Sequence, residues 1–307
     1  MQRYTVVRLW LKAGGNADRS GWYPYQVHKR KAEMLELTGR WSDAERLYRD
    51  GLAHAIAASA DAVTAQAAYD LSWLLQSRGQ FAEAIAFAGE AQQRFERLSD
   101  DHGRIKALGT IGVIHWSQGH YEQALEISRR KLALARRLGD QQTIASSLNN
   151  LGLIHRRQGR TDEALECYRE ALAIYEALGD VRNTGTVLSN IGNVHITKRD
   201  YAAALGFYQR SLAIATRLGD KQQMAVLLGN SGTAYRHTGE QSRAIDCHKA
   251  ELSLFREMGD IKNLGFTHNS LADNYKDSGD LARACGHYEQ AIARMRQLEL
   301  TDYLAEF

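Results

Sequence analysis

Within residues 141–180, apolar side chains fall at Ile144, Leu148, Leu151 and Ile154, and again at Leu165, Tyr168, Leu172 and Tyr175. Steps of three and four place each set on one face of a helix. Gly159 and Arg160 separate the sets, and Gly179-Asp180 closes the second. Glycine suits the left-handed residue just past a helix, and aspartate suits the cap of the helix that follows. Thr161-Asp162-Glu163 is expected to cap and charge the start of the second helix. The segment reads as an antiparallel pair of helices joined by tight turns.

This pattern recurs along the chain. Alanine returns at Ala44, Ala84, Ala124, Ala164, Ala204, Ala244 and Ala284. Glycine returns at Gly39, Gly79, Gly119, Gly159, Gly239 and Gly279, with Arg199 in the one missing place. Asp100, Asp140, Asp180, Asp220 and Asp260 mark the junctions. A fixed period of this size means stacked units, each packed on its neighbours. The expected fold is all-α, an α-solenoid of seven antiparallel helix pairs over 25–300. A capping helix (2–13) with a loop is expected in 1–24, and a short tail in 301–307. Gly152 and Ala164 are expected where the two helices of a pair cross most closely. Gly112, Gly192 and Gly232 hold the place of Gly152, with Ser72 and Ala272 near equivalents.

Composition agrees with a folded chain: 44% hydrophobic and 24% charged residues. The single proline is Pro24, so nothing after it breaks a helix. A net charge of +3 is no nucleic-acid footprint without a basic stripe. The local cluster Arg129-Arg130-Lys131 with Arg136-Arg137 reads as a solvated outer face. Cys167, Cys247 and Cys285 are odd in number and lie in helical repeats, as reduced cytoplasmic thiols would. The start, Met1–Tyr4, leads into only a short apolar patch around Val6–Leu11, which is no signal peptide. No run approaches the roughly 18 apolar residues of a membrane span. A cytoplasmic protein without nucleic-acid or membrane partners is the expectation.

The sequence carries no constellation that points to catalysis. His115, His155 and His195 recur in phase, yet equivalent residues of successive helix pairs lie about 10 Å apart. Nitrogens sharing one zinc must each stand about 2 Å from it, so these histidines read as packing residues. The sequence lacks the spaced histidine, cysteine and glycine-lysine motifs of zinc, redox and nucleotide sites. Neither an enzyme activity, nor a metal, nor a cofactor is expected.

Leu151-Gly152, His155, Gly159, Ala164, Tyr168 and Ala171 together resemble the tetratricopeptide repeat family. The usual family period is about 34. The longer period here is similar to the long-helix variety of Pins-type polarity adaptors and bacterial regulatory proteins. The likeness spans 25–300 and weakens at Lys31-Ala32, Arg199 and Ser231. It implies a right-handed superhelix whose first helices line a concave groove. The implied function is a non-enzymatic scaffold that binds an extended segment of another protein.

Projected on that groove, Asn150, Asn190 and Asn230 form a ladder, with Asn149, Asn193 and Asn269 beside it. Asparagine is a mediocre helix former, and its amide carries both donor and acceptor. The resemblance implies that such a ladder holds a peptide backbone. The alternative is that the amides bond to the adjacent helix and order the stack. Tyr69, Trp73 and Trp116 are candidate anchors for an apolar side chain, unless they tilt into the core. Arg156, Arg157 and Arg236 are candidates for clamping acidic groups, with Lys276 beyond them. The carboxylate clamp of chaperone-binding members is not reproduced. Lys29 and Lys106 match its lysines, but Glu33, Asp70 and Thr110 replace its two asparagines and its arginine. A second reading is a regulatory or self-assembling module of a larger system, with the weak first unit and Tyr303–Phe307 as contacts.

Overall fold

The computed structural model describes residues 19–297 as fourteen consecutive helices, with no strand among the described residues. They are α1 (Arg19–Leu37), α2 (Trp41–Ala57), α3 (Asp61–Ser77), α4 (Phe81–Arg97), α5 (Asp101–Ser117), α6 (Tyr121–Leu138) and α7 (Gln141–Arg157). There follow α8 (Thr161–Leu178), α9 (Val181–Thr197), α10 (Tyr201–Leu218), α11 (Lys221–His237), α12 (Gln241–Met258), α13 (Ile261–Asp277) and α14 (Leu281–Gln297). The chain divides into two compact units, Met1–Ser147 and Leu148–Phe307. The expected helix over 2–13 and the tail over 301–307 lie outside the described residues.

In the first unit α1 packs on α2, α3 on α4 and α5 on α6, while α3 also touches α1 and α5. Its core joins Tyr25, Tyr48, Leu52, Leu71, Leu74, Leu75 and Phe95. In the second unit α9 pairs with α10, α11 with α12 and α13 with α14. Two smaller cores there centre on Tyr208 and Leu227, and on Phe255, Leu271 and Tyr275. First helices thus meet first helices as well as their own partners.

The repeated small residues do what their phase requires. A Cβ added at Gly152 would stand 2.6 Å from the ring of Tyr168, and at Gly192 2.5 Å from that of Tyr208. Gly232 meets His248 in the same way at 2.6 Å. The crossing is therefore closed by glycine on the first helix and a ring sixteen positions later on the second. The turn glycines have a different cause. Gly159 has φ +75° and nothing within 4 Å of an added Cβ, so backbone conformation alone selects it. Arg199 takes the same left-handed conformation at φ 60°.

Aspartate caps the first helices as expected. Asp100, Asp180, Asp220 and Asp260 each accept from the backbone N–H three residues on, at 2.9–3.1 Å. Two expectations need correction. Thr161 is the first helical residue of α8 rather than its cap; Arg160 holds that position without a side-chain cap bond. The turn is closed by backbone instead, Arg160 N–H donating to the His155 carbonyl at 2.9 Å. The loop expected up to residue 24 is also not a loop, because α1 begins at Arg19 and contains Pro24. Pro24 is the sixth residue of the helix, so it gives up its bond to the Ser20 carbonyl and its ring crowds that group. The next residue, buried Tyr25, fastens α1 to α3 by donating its hydroxyl to Asp70.

Candidate functional site

The asparagine ladder turns inward more than outward. Asn190 on α9 donates its amide to Asn149 on α7 at 2.9 Å. Asn230 on α11 donates to Asn193 on α9 at 3.2 Å, and Asn193 also accepts from the Tyr208 hydroxyl at 2.7 Å. These bonds join successive first helices, so the amides serve the stack whatever else they do. The amides of Asn190 and Asn230 each keep a second N–H and an unused carbonyl oxygen, whereas the Asn193 oxygen has both lone pairs engaged and keeps only its NH2 for a guest. Asn150 is exposed and Asn269 half-buried, and neither is hydrogen-bonded among the described residues.

The arginines separate into used and unused. Arg236 is taken by α13, at 2.6 Å from Asp277 and 3.1 Å from Asp273. Arg236, whose guanidinium the sequence offers to an acidic partner, is thus already engaged by two carboxylates of the neighbouring repeat. They also hold its guanidinium above the ordinary range, the Asp277 bond most of all. Arg157 is exposed and Arg156 half-buried, and neither makes an ion pair among the described residues. Arg156 Nε is shut off from solvent, and the guanidinium lies beside the buried Tyr168 hydroxyl, with which it interacts. Burial pushes that hydroxyl up to about 12, while the adjacent Arg156 cation pulls it back. Burial likewise raises Tyr208, again opposed by Arg156.

These residues surround a cavity of about 310 Å³ lined by Arg156, Asn193, Ile196, Thr197, Tyr208, Asn230 and Thr233. One cation, two amides and three hydroxyls face a space open to solvent. The arrangement suits an anionic or amide-rich chain segment better than an apolar one. Ile196, Thr197, Tyr208 and Thr233 were not foreseen. The available signal was the position of Tyr208 sixteen residues after Gly192, which aims its hydroxyl past the crossing toward the first-helix face.

The aromatic candidates divide as well. Tyr69 and Trp73 line a separate cavity in the first unit, whereas Trp116 is half-buried, lines neither cavity, and has its indole nitrogen buried without a partner. The histidines pack. His155 is buried, and His195 stacks on Phe207 with ring centres 5.3 Å apart. Among the described residues no three metal-ligating side chains converge, and the cysteines are unbridged. Of the basic cluster, Lys131 turns inward, where burial lowers its pKa, and Arg137 pairs with Asp101. No helix among the described residues is long and apolar enough to cross a membrane.

Helix pairs with glycine crossings and left-handed turns define the repeat class, and comparison confirms it. The sequence profile of the tetratricopeptide repeat family matches residues 75–137, 103–177 and 183–257, together more than half of the chain. The chain belongs to that family. No curated protein sequence matches it significantly. Among solved structures, the apo form of RapI superposes with a TM-score of 0.71 at 18% identity, covering 90% of this chain and 98% of that one. The apo quorum sensor NprR from B. thuringiensis gives 0.69 at 17% identity, covering 90% and 77%. A Rap protein complexed with competence and sporulation factor gives 0.59 at 15%, covering 90% and 76%. At such identities the likeness concerns the fold.

Proposed function

We propose that the protein is a non-catalytic scaffold whose second unit binds an extended segment of a protein partner and seats an acidic side chain against Arg156. The observation that carries this reading is the cavity where the Arg156 guanidinium, which has no carboxylate partner among the described residues, meets the amides of Asn193 and Asn230. A guanidinium there offers a planar fork to a carboxylate. The spare N–H groups of Asn193 and Asn230 and the free Asn230 oxygen match the alternating carbonyl and N–H groups of an extended backbone. The fold is compatible with this role, since a Rap protein of similar fold is seen with a bound factor.

The test is selection of a random-peptide display library on the full chain. Enriched sequences should carry Asp or Glu at one fixed place, Arg156→Gln should abolish their capture, and Arg236→Gln should retain it. Melting curves should show both variants folded. Enrichment without acidic residues, or capture indifferent to Arg156→Gln, would overturn the assignment.

A further inference from the structure

The first unit carries a second cavity, of about 550 Å³, with the opposite polarity. Four rings wall it: Trp41 and Tyr48 from α2, and Tyr69 and Trp73 from α3. Trp41 is 39% exposed and Trp73 47% exposed, so two of the largest apolar side chains stand open to water at one hollow. Polar residues of α1 and α3 complete it: Lys29, Glu33, Glu36 and Asp70.

The charges are not equivalent. Asp70 is already satisfied, accepting from Tyr25, from Lys29 Nζ at 2.6 Å and from Gln66 at 2.9 Å. Lys29 and Asp70 thus cancel as a pair that ties α1 to α3. What remains is Glu33, which makes no ion pair or hydrogen bond among the described residues, and Glu36, whose only bond there is from the Tyr48 hydroxyl at 2.8 Å. Glu36 has its pKa raised, by burial first and then by the charges of Glu33 and Asp70, against the lowering bond from Tyr48. The hollow therefore has two carboxylates without an ion-pair partner among the described residues beside four aromatic side chains. Carboxylates alone would be an ordinary solvated surface. Indole and phenol faces attract a cation through their quadrupole and shield its alkyl stem from water.

We infer that this cavity is a binding site for an arginine side chain presented by an extended segment of a protein partner. A guanidinium stacks on Trp41 or Trp73 while its N–H fork reaches Glu33 and Glu36, which ring and carboxylate geometry favours over a compact ammonium. A space of several hundred Å³ holds the whole side chain with room for adjoining backbone. The site is independent of the reading given for the second unit and would stand if that failed.

The experiment uses the full chain labelled with 5-fluorotryptophan, with Trp41 and Trp73 signals assigned through Trp41→Phe and Trp73→Phe. It is titrated with a capped Gly/Ser peptide containing one arginine, then with the same peptide containing citrulline, the neutral isostere. The arginine peptide should shift both signals, and citrulline should bind about tenfold more weakly or not at all. Glu33→Gln with Glu36→Gln should weaken the arginine peptide by a similar factor, and added salt should weaken it in the wild type. Circular dichroism keeps a misfolded variant from counting. Equal shifts with arginine and citrulline, or none with either, would overturn the site. Agmatine binding as tightly as the peptide would overturn the protein partner and leave a small guanidinium compound as the occupant.

Discussion

Asn190 donates its side-chain amide to Asn149, forty-one positions earlier, at 2.9 Å. Two residues of one type, in neighbouring copies of one repeat, are therefore not equivalent in what they do. Asn190 fastens α9 to α7, whereas Asn150, in the same phase as Asn190, is exposed and has no hydrogen-bond partner among the described residues. Asn190→Ala should cost about 1 kcal/mol of stability, the net worth of a half-buried hydrogen bond. Asn150→Ala should lie within about 0.5 kcal/mol of wild type. Urea unfolding of the two variants checks this, and equal losses would contradict the division.

Arg236 provides the matching test among the charges. Its bonds to Asp273 and Asp277 are partly exposed, so Arg236→Gln should cost no more than about 1 kcal/mol, and the cost should shrink in high salt. Peptides selected through Arg156 should bind that variant as they bind wild type. Melting at two salt concentrations, followed by a binding titration, decides it.

Glycines separate into two mechanisms that one substitution distinguishes. Gly192→Ala drives a methyl to 2.5 Å from the Tyr208 ring and should cost about 1–3 kcal/mol through overpacking. Gly159→Ala meets nothing and should cost about 1 kcal/mol from left-handed strain alone. Adding Tyr208→Leu should relieve the first and leave the second unchanged. Arg199→Gly, conversely, should stabilise by about 0.5 kcal/mol, since arginine there already sits at φ 60°. Denaturant midpoints of the four variants are the readout.

His268 makes the last helix pair acid-sensitive. Its Nδ1 lies 2.9 Å from that of His287 on α14. Burial first, then His287, Arg294 and Arg256, depress its pKa from the ordinary 6.5 to about 4. Between those values the unfolded chain binds the proton and the folded chain does not. Stability from this group is therefore complete above pH 6.5 and lost as pH falls toward 4. His287 shifts in the same direction, chiefly by burial. Unfolding free energy measured across that range should fall with acid, and His268→Phe should flatten the profile.

Much of the fold was legible in one repeat. Gly152, Gly159, Ala164 and Asp180 announce a crossing, a turn and a cap because backbone geometry leaves few residue types for those places. Thr161 misled because a tight turn moved the cap position to Arg160, where backbone bonds replace a side chain. Tyr69 and Trp73, projected on the groove from their phase, do line a cavity, but Trp41 and Tyr48 were not seen, since they arrive from the second helix. The partners of Arg236, Asp273 and Asp277, were not legible, since they come from the next repeat.

The sequence by itself determined the period, the helix pairs and the small residues that let them pack. These are demands each unit meets within its own span, so they repeat visibly. Tertiary structure decided which amides, cations and rings remain for a guest. Those outcomes depend on side chains supplied by the neighbouring helix, 37 to 41 positions away, where repeats differ. Local geometry is common to every repeat; the hydrogen-bond and charge partners across the stack are particular to each.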